Sequence, residues 1–472
     1  MPDAVVIGLG PAGIVAARIL ARAGRSVVAI QAEMGVSARS RLISPRPTVR
    51  SHAGDVAQLG AWPAGADGVG GSKRLAAPQA YRLDAWAVRA LSLNRSADGP
   101  EMPPDVDLMD WPIEPYELDE YYERVEDLTR VGPRPGTGWT DRMAAAAVGL
   151  GWRPFAAPAA AETDMSPLLE PLPIQRIPGV ATEILRSSSG AASGVRYVDA
   201  DGASRTLECD AVVLAGSVIP SIRLLLLSGI DGQGTVGRWF MSHNTFVVHG
   251  FFPGLDLGRD AAGPATATAV SVFEGDRNLA AGRDVIGGSI LQAAMTGPWD
   301  SARAEGMAAG LQLGVRADPR TWVRERHASI GAVWAQPDQL PRSSNMVDLD
   351  PEHRDPIGRP VPRITYQLHA DDHQRWSLLS ERMAEWLRAA GAAHTWGAPL
   401  TPQPVGTHLY GGVRMGTDPL TSSVDSYGRF HTVPGLVVVG SSTFPTTGGR
   451  GPVETVEALA WRAAEQLASD LG

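Results

Sequence analysis

Residues 4–13 read Ala4-Val5-Val6-Ile7-Gly8-Leu9-Gly10-Pro11-Ala12-Gly13. The apolar run up to Gly8 suits a parallel strand buried on both faces. Gly8, Gly10 and Gly13 then supply the spacing G-x-G-x-x-G. The first glycine permits a tight strand-to-helix turn, the second lets backbone approach a pyrophosphate, and the third lets the helix pack on the strand. Ile14 to Ala23 carries apolar residues at helical spacing, and Ser26 to Ile30 forms a second buried strand. Together they make a β-α-β unit of about thirty residues. The helix N-terminus offers N–H groups and a positive dipole end to phosphate, so Pro11 and Ala12 join the glycines as candidate contacts. The spacing alone is a weak signal, but its place after a strand and before a helix is the context the motif requires. The glycines do not separate FAD from NAD. The second strand ends Ile30-Gln31-Ala32-Glu33, where either Gln31 or Glu33 could bond a ribose. Glu33 reads equally well as a solvated loop charge.

Outward from this unit, residues 34–80 are loop-rich and contain Gly68-Val69-Gly70-Gly71-Ser72. Trp111-Pro-Ile-Glu-Pro-Tyr-Glu-Leu118 opens a helix through about Val131, which Pro133 and Pro135 stop. Residues 132–165 read as irregular. Gly194 to Asp199 and Ser204 to Cys209 pair as a hairpin. Ala211 to Ala215 is another buried strand, ended by Gly216 and followed by a helix from Pro220 to Ser228. Residues 244–400 change texture, with strand-like runs at Thr245 to Phe251 and Val285 to Leu291 and an amphipathic helix from His373 to Ala390. The chain then returns to a buried strand, Leu436 to Val439, and a helix from Val453 to about Leu471. The pattern predicts an α/β fold: a Rossmann-type nucleotide-binding domain with an inserted α+β substrate domain built on an antiparallel sheet. Residues 1–110, 165–243 and 405–472 are assigned to the first domain, and 111–164 and 244–404 to the second.

The bulk numbers agree. A chain of 472 residues exceeds one compact core. Hydrophobic residues make up 44% and charged residues 20%, an ordinary globular balance. The net charge of −9 argues against a nucleic-acid partner, which would require a basic surface. The longest apolar runs fall short of a membrane span. With no targeting segment ahead of the first strand, a cytoplasmic protein is expected. The single cysteine, Cys209, excludes an internal disulfide and a cysteine-based metal cluster, and no metal is expected.

The C-terminal third is more specific. It reads His408-Leu-Tyr-Gly411-Gly-Val-Arg414-Met415-Gly416-Thr-Asp418-Pro419, then Val424-Asp425, Arg429-Phe-His431, Val433-Pro-Gly-Leu436, Ser442-Thr-Phe444-Pro445-Thr446 and Gly448-Gly449-Arg450-Gly451-Pro452. The helix Thr455-Val-Glu-Ala-Leu-Ala-Trp-Arg follows. This ordered string resembles the glucose-methanol-choline (GMC) oxidoreductase family, in particular its gluconate and sugar dehydrogenase and pyranose oxidase branch. Gly68–Ser72, Trp111-Pro-Ile, Ala215-Gly216 through Ser228, Gly237-Arg238 with Met241-Ser-His243, and Asp355-Pro-Ile-Gly358-Arg-Pro360 are similar to further segments of that branch.

The resemblance implies FAD as cofactor. It places FAD contacts at Gly8, Gly10, Pro11, Ala12, Gly13, Gln31, Glu33, Gly70, Gly71, Ser72, Val180, Ala215, Gly216, Gly440, Ser441, Pro452 and Val453. Alcohol oxidation takes a carbon-bound hydride to flavin and a hydroxyl proton to a base. The histidine matched to the family's base is His408. His431 and His243 read as structural. The helix after Pro452 is the candidate to hold reduced-flavin charge.

Four positions depart from the family pattern. Gly451 stands where the family has Asn or His to hold the substrate oxygen, so half of that site is missing; Arg450 could bring a cation there, or water or a substrate group could fill the gap. Gly440-Ser441 lacks a common Asp near the FAD phosphates. Gln31 replaces a Glu. Ser72-Lys73-Arg74-Leu75 has no histidine to tether the cofactor, so FAD is expected to be non-covalent. The expected function is oxidation of a CH–OH group of a sugar, polyol or sugar-bearing small molecule. The alternatives are a flavoenzyme of altered chemistry (C–C or C–N oxidation, or redox isomerisation) or a non-catalytic flavin-binding protein. The electron acceptor, whether oxygen, quinone or protein, stays open.

Overall fold

The computed structural model describes residues 1–32, 47–50, 56–58, 79–96, 99–133, 136–257, 267–294, 318–397, 400 and 408–472. Glu33, Gly70, Gly71 and Ser72, with Lys73 and Arg74, lie outside the described residues.

The central sheet has seven strands in the spatial order Ser204–Glu208, Ala192–Asp199, Ile174–Arg186, Val27–Gln31, Ala4–Ile7, Ala211–Leu214, Leu436–Val438. The last five run parallel, and the first two join by antiparallel pairing. The first strand shows why its residues form this sheet. Side chains alternate across a strand. Ala4 and Val6 pack with Ile14 and Val15 of helix Pro11–Arg22 and with Ala460 and Ala464 of helix Val453–Asp470. Val5 and Ile7 pack on the other side with Ile219 and Ile222 of helix Val218–Leu227. Both faces are therefore covered. Burial stabilises each such Val or Ile by about 1.5–3 kcal/mol.

Ala4–Ile7 has Val27–Gln31 on one side and Ala211–Leu214 on the other. Helix Pro11–Arg22, which follows Ala4–Ile7, and helix Val218–Leu227, which follows Ala211–Leu214, cover opposite faces of the sheet, so a crevice opens beyond the carboxyl ends of these strands, where such sheets bind ligands.

A second sheet orders His394–Gly397, Phe246–Phe251, Ile330–Ala335, Leu291–Ala294, Ala267–Val270 and Pro154–Ala156, all antiparallel. Helix Ala370–Ala389 buries Leu379, Met383, Trp386 and Leu387 against Phe246 and Val248 of this sheet, the helical spacing of one apolar face.

Two readings need correction. Residues 132–165 are not all irregular, because Gly138–Gly149 is a helix started by a Thr137–Thr140 capping box. Trp139, Met143 and Ala147 form its buried face; flanking Gly and Pro hide this four-residue spacing in the sequence. The strand expected at Val285 to Leu291 is displaced to Leu291–Ala294. Gly288 lies so close to other backbone that an added Cβ would stand 1.9 Å from the Phe273 carbonyl oxygen, and that crossing takes the place of strand pairing.

Two contacts bring distant chain segments together. Pro360–Thr365 pairs in parallel with Thr48–Arg50. Helix Asp119–Thr129 lies against Val453–Asp470, with the Tyr122 hydroxyl 2.8 Å from Thr455 Oγ1. Among the described residues no helix is long and apolar enough to cross a membrane.

Candidate active site

Three glycine turns meet at the crevice. Gly8 has φ +96°, a region that favours glycine, and a Cβ there would stand 3.0 Å from the Ala215 carbonyl oxygen. At Gly13 a Cβ would come within 1.9 Å of the Gly8 carbonyl oxygen, so only glycine lets helix and strand approach this closely. At Gly10 a Cβ would meet nothing within 4 Å among the described residues. That open backbone precedes Pro11 at the helix start, and no side chain caps the helix. The cradle thus has close packing where the fold needs it, free space where a pyrophosphate would approach, and uncapped N–H groups facing that space. Gly216 and Gly440, with φ +120° at Gly440, complete it from the neighbouring strand ends. These residues fit a dinucleotide such as FAD.

Gln31 folds back into the cradle. Its Oε1 accepts from the Leu9 N–H at 2.5 Å, and its Nε2 donates to the Ala32 carbonyl at 2.6 Å. Val180 lies two residues beyond Pro178, which pairs with Gln31, so it comes to the same edge. Ser441 begins a short turn of helix, Ser441–Thr443, whose carbonyl groups accept from Gly411, Val413 and Met415. That ladder ties the His408 segment to the cradle.

Leu409–Tyr410 pairs with Met241–Ser242, and the His243 N–H donates to the His408 carbonyl at 2.9 Å. The two imidazoles meet at 3.4 Å through their Nδ1 atoms, and the Tyr410 hydroxyl lies 3.0 Å from His243 Nδ1. Burial pushes His408 down to about 4. Burial and the neighbouring His408 push His243 well below the ordinary histidine value. Both rings are neutral at pH 7, so His408 is ready to accept a proton. His243 is fully buried, whereas His408 is half-buried.

His408 faces a gap at Gly451. A Cβ at that residue would stand 3.9 Å from His408 Cε1, 3.6 Å from Gln79 Oε1 and 3.9 Å from Gln336 Oε1. The structure thus brings His408 and Gly451 together as the sequence suggested and adds two carboxamides.

Arg450 does not bring a cation into this gap. Its guanidinium binds both oxygens of Glu274, at 2.5 and 2.8 Å, and donates to the Arg82 carbonyl at 2.7 Å. The buried Glu274 carboxylate demands a charge partner, and Arg450 turns away from His408 to supply it. Asp338 fastens the same segment, accepting from the Gly449 N–H at 2.8 Å and the Thr447 hydroxyl at 3.1 Å. Pro452 and Val453 start the C-terminal helix beside it. Burial, with Glu126 alongside, raises Glu454 to about 9. A neutral Glu454 leaves the positive end of that helix dipole uncancelled.

Residues 341–460 match the GMC oxidoreductase family model. This stretch is the C-terminal domain of the GMC oxidoreductases. It is 29% identical over 299 residues to 2-methyl-1,2-propanediol dehydrogenase of Mycolicibacterium austroafricanum, covering 60% of this chain and 52% of that protein. It is 26% identical over 298 residues to gluconate 2-dehydrogenase flavoprotein of Pantoea cypripedii, covering 58% and 47%. The chain thus spans about half the length of these relatives. Pyridoxine 4-oxidase from Mesorbium loti has a similar fold, with a TM-score of 0.65 at 17% identity over 99% of both chains.

The sequence reading missed two groups at this site. His243, read as structural, is fully buried and touches His408 and Tyr410. Gln79 and Gln336 carry no motif, and only folding brings them to Gly451.

Proposed function

We propose that this GMC oxidoreductase holds FAD non-covalently and oxidises the CH–OH group of a sugar, polyol or related small molecule. The carrying observation is the neutral His408 ring, half-buried at the gap over Gly451, on a segment whose Gly411, Val413 and Met415 N–H groups bond the Ser441–Thr443 turn of the cofactor cradle. In this reading residues 1–110, 165–243 and 405–472 hold the cofactor, and 111–164 and 244–404 shape the substrate side. Bound in the cradle, FAD supplies the acceptor for a hydride from the alcohol carbon.

His408 takes the hydroxyl proton, so the alcohol loses a proton and a hydride and becomes a carbonyl. His243 meets the His408 ring at its Nδ1 side, and the Tyr410 hydroxyl holds His243 in turn. The Val453 helix end, left positive by the neutral Glu454, favours negative charge near the cofactor. The names of the diol and gluconate dehydrogenases support a polyol or sugar substrate.

Product analysis tests this. Turnover with an artificial electron acceptor should reduce the acceptor and yield one carbonyl per acceptor pair of electrons. A product at the oxidation level of the substrate, with the acceptor untouched, would favour redox isomerisation instead.

A further inference from the structure

We propose that Gln336 is a substrate-contacting residue that selects vicinal diols: it holds a second hydroxyl beside the one that His408 deprotonates. This rests on the alcohol-oxidising reading above and adds what the gap at Gly451 accepts.

Gln336 follows strand Ile330–Ala335, and its N–H donates to Ser289 Oγ at 2.9 Å. The side chain is therefore placed by the sheet and not by a free loop. The residue is 6% exposed, and its Oε1 is buried with no hydrogen-bond partner among the described residues. A buried amide oxygen left unpaired is unfavourable, and a ligand donor relieves it.

The direction of that oxygen matters. The point that a Cβ at residue 451 would occupy lies 3.9 Å from Gln336 Oε1 and 3.9 Å from His408 Cε1. Both groups therefore border the same space beside the Gly451 Cα, where one small molecule could meet both. Gln79 Oε1, 3.6 Å from the same point, bounds it from a third side. Gln79 is itself tied at 3.5 Å to Gln292 Nε2, and Gln292 Oε1 accepts from the Tyr81 hydroxyl at 3.1 Å.

The chemistry of this wall narrows the ligand. Carboxamides can present either a carbonyl oxygen or N–H groups, and a hydroxyl both donates and accepts. Arg450 is held by Glu274, so it offers nothing to an anionic substituent. A neutral hydroxyl on the carbon next to the reacting one satisfies Gln336 while its neighbour meets His408. A mono-alcohol leaves the Gln336 oxygen unpaired.

The test is anaerobic flavin reduction in the FAD-loaded protein, using the pairs 1,2-propanediol with 1-propanol and trans-1,2-cyclohexanediol with cyclohexanol. The diols should bind at least ten-fold more tightly than their mono-alcohol partners. Gln336→Met should erase that preference, raising the diol dissociation constant ten-fold or more while the limiting reduction rate changes far less. Gly451→Ala should act in the same direction by filling the gap; its Cβ makes only ordinary contacts, so the fold tolerates it. Retention of the bound-flavin spectrum checks both variants. Equal use of diols and mono-alcohols, or a diol preference that survives both substitutions, overturns the proposal while leaving alcohol oxidation standing. Failure of every alcohol to reduce the flavin overturns the alcohol-oxidising reading and this one with it.

Discussion

In the proposed reading His408 serves as the base, and burial keeps its ring neutral. Replacing it with Asn keeps the size but removes the proton acceptor. His408→Asn should slow flavin reduction by about 10²–10⁴-fold and leave the flavin bound, as read by stopped-flow absorbance. The pH dependence follows from the same cause. A protonated ring cannot accept a proton, and His408 stays neutral until the pH falls to about 4. The reduction rate should therefore hold from neutral pH downward and fall only as the pH approaches that value. An acid limb at the ordinary histidine position, near 6.5, would contradict this assignment. At this scale the sequence was informative where a residue sits inside a motif: it named His408 and Gly451, and the fold places them side by side. Gln336 and Gln79 were not, because an isolated glutamine in a strand or loop carries no pattern. The role offered for Arg450 failed because its partner Glu274 is distant in the chain and unmarked by any motif.

The turn between the first strand and the first helix separates folding from cofactor binding. An added Cβ at Gly13 would stand 1.9 Å from the Gly8 carbonyl oxygen, whereas at Gly10 it would meet nothing within 4 Å among the described residues. Gly13→Ala should cost about 1–3 kcal/mol of stability even without FAD, measured by urea unfolding. Gly10→Ala should leave the apoprotein's stability nearly unchanged and weaken FAD binding, measured by fluorescence titration. Equal effects of the two would refute the division of roles. The segment before the last helix depends on its buried ion pair. Arg450→Met leaves the Glu274 carboxylate unpaired and should cost about 3–5 kcal/mol, whereas Glu274→Gln, which keeps an acceptor, should cost less. Elements with strong local signals, such as Ala4–Ile7 and Pro11–Arg22, were readable in advance. Helix Gly138–Gly149 was not, because only the strands it covers show which of its residues are core.

For the whole molecule, the two sheets divide the work. The parallel sheet sets the cradle at its strand ends, and the antiparallel sheet delivers Gln336 from the opposite side. His408 lies on a segment bound to the cradle by backbone hydrogen bonds. Sequence order assigned these parts to two domains, but the close approach of 336, 408 and 451 is a tertiary fact. If FAD binds only the folded state, a free concentration of one hundred times its dissociation constant should add about 2.7 kcal/mol of stability. If the flavin is held non-covalently, as proposed, acid precipitation should release it into the supernatant. The most direct test of the central claim is anaerobic absorbance of the FAD-loaded protein during titration with sugars and polyols. We predict loss of the oxidised-flavin band with at least one of them, in step with carbonyl formation. A protein that cannot be loaded with FAD, or a bound flavin that none of these alcohols bleaches, would contradict it.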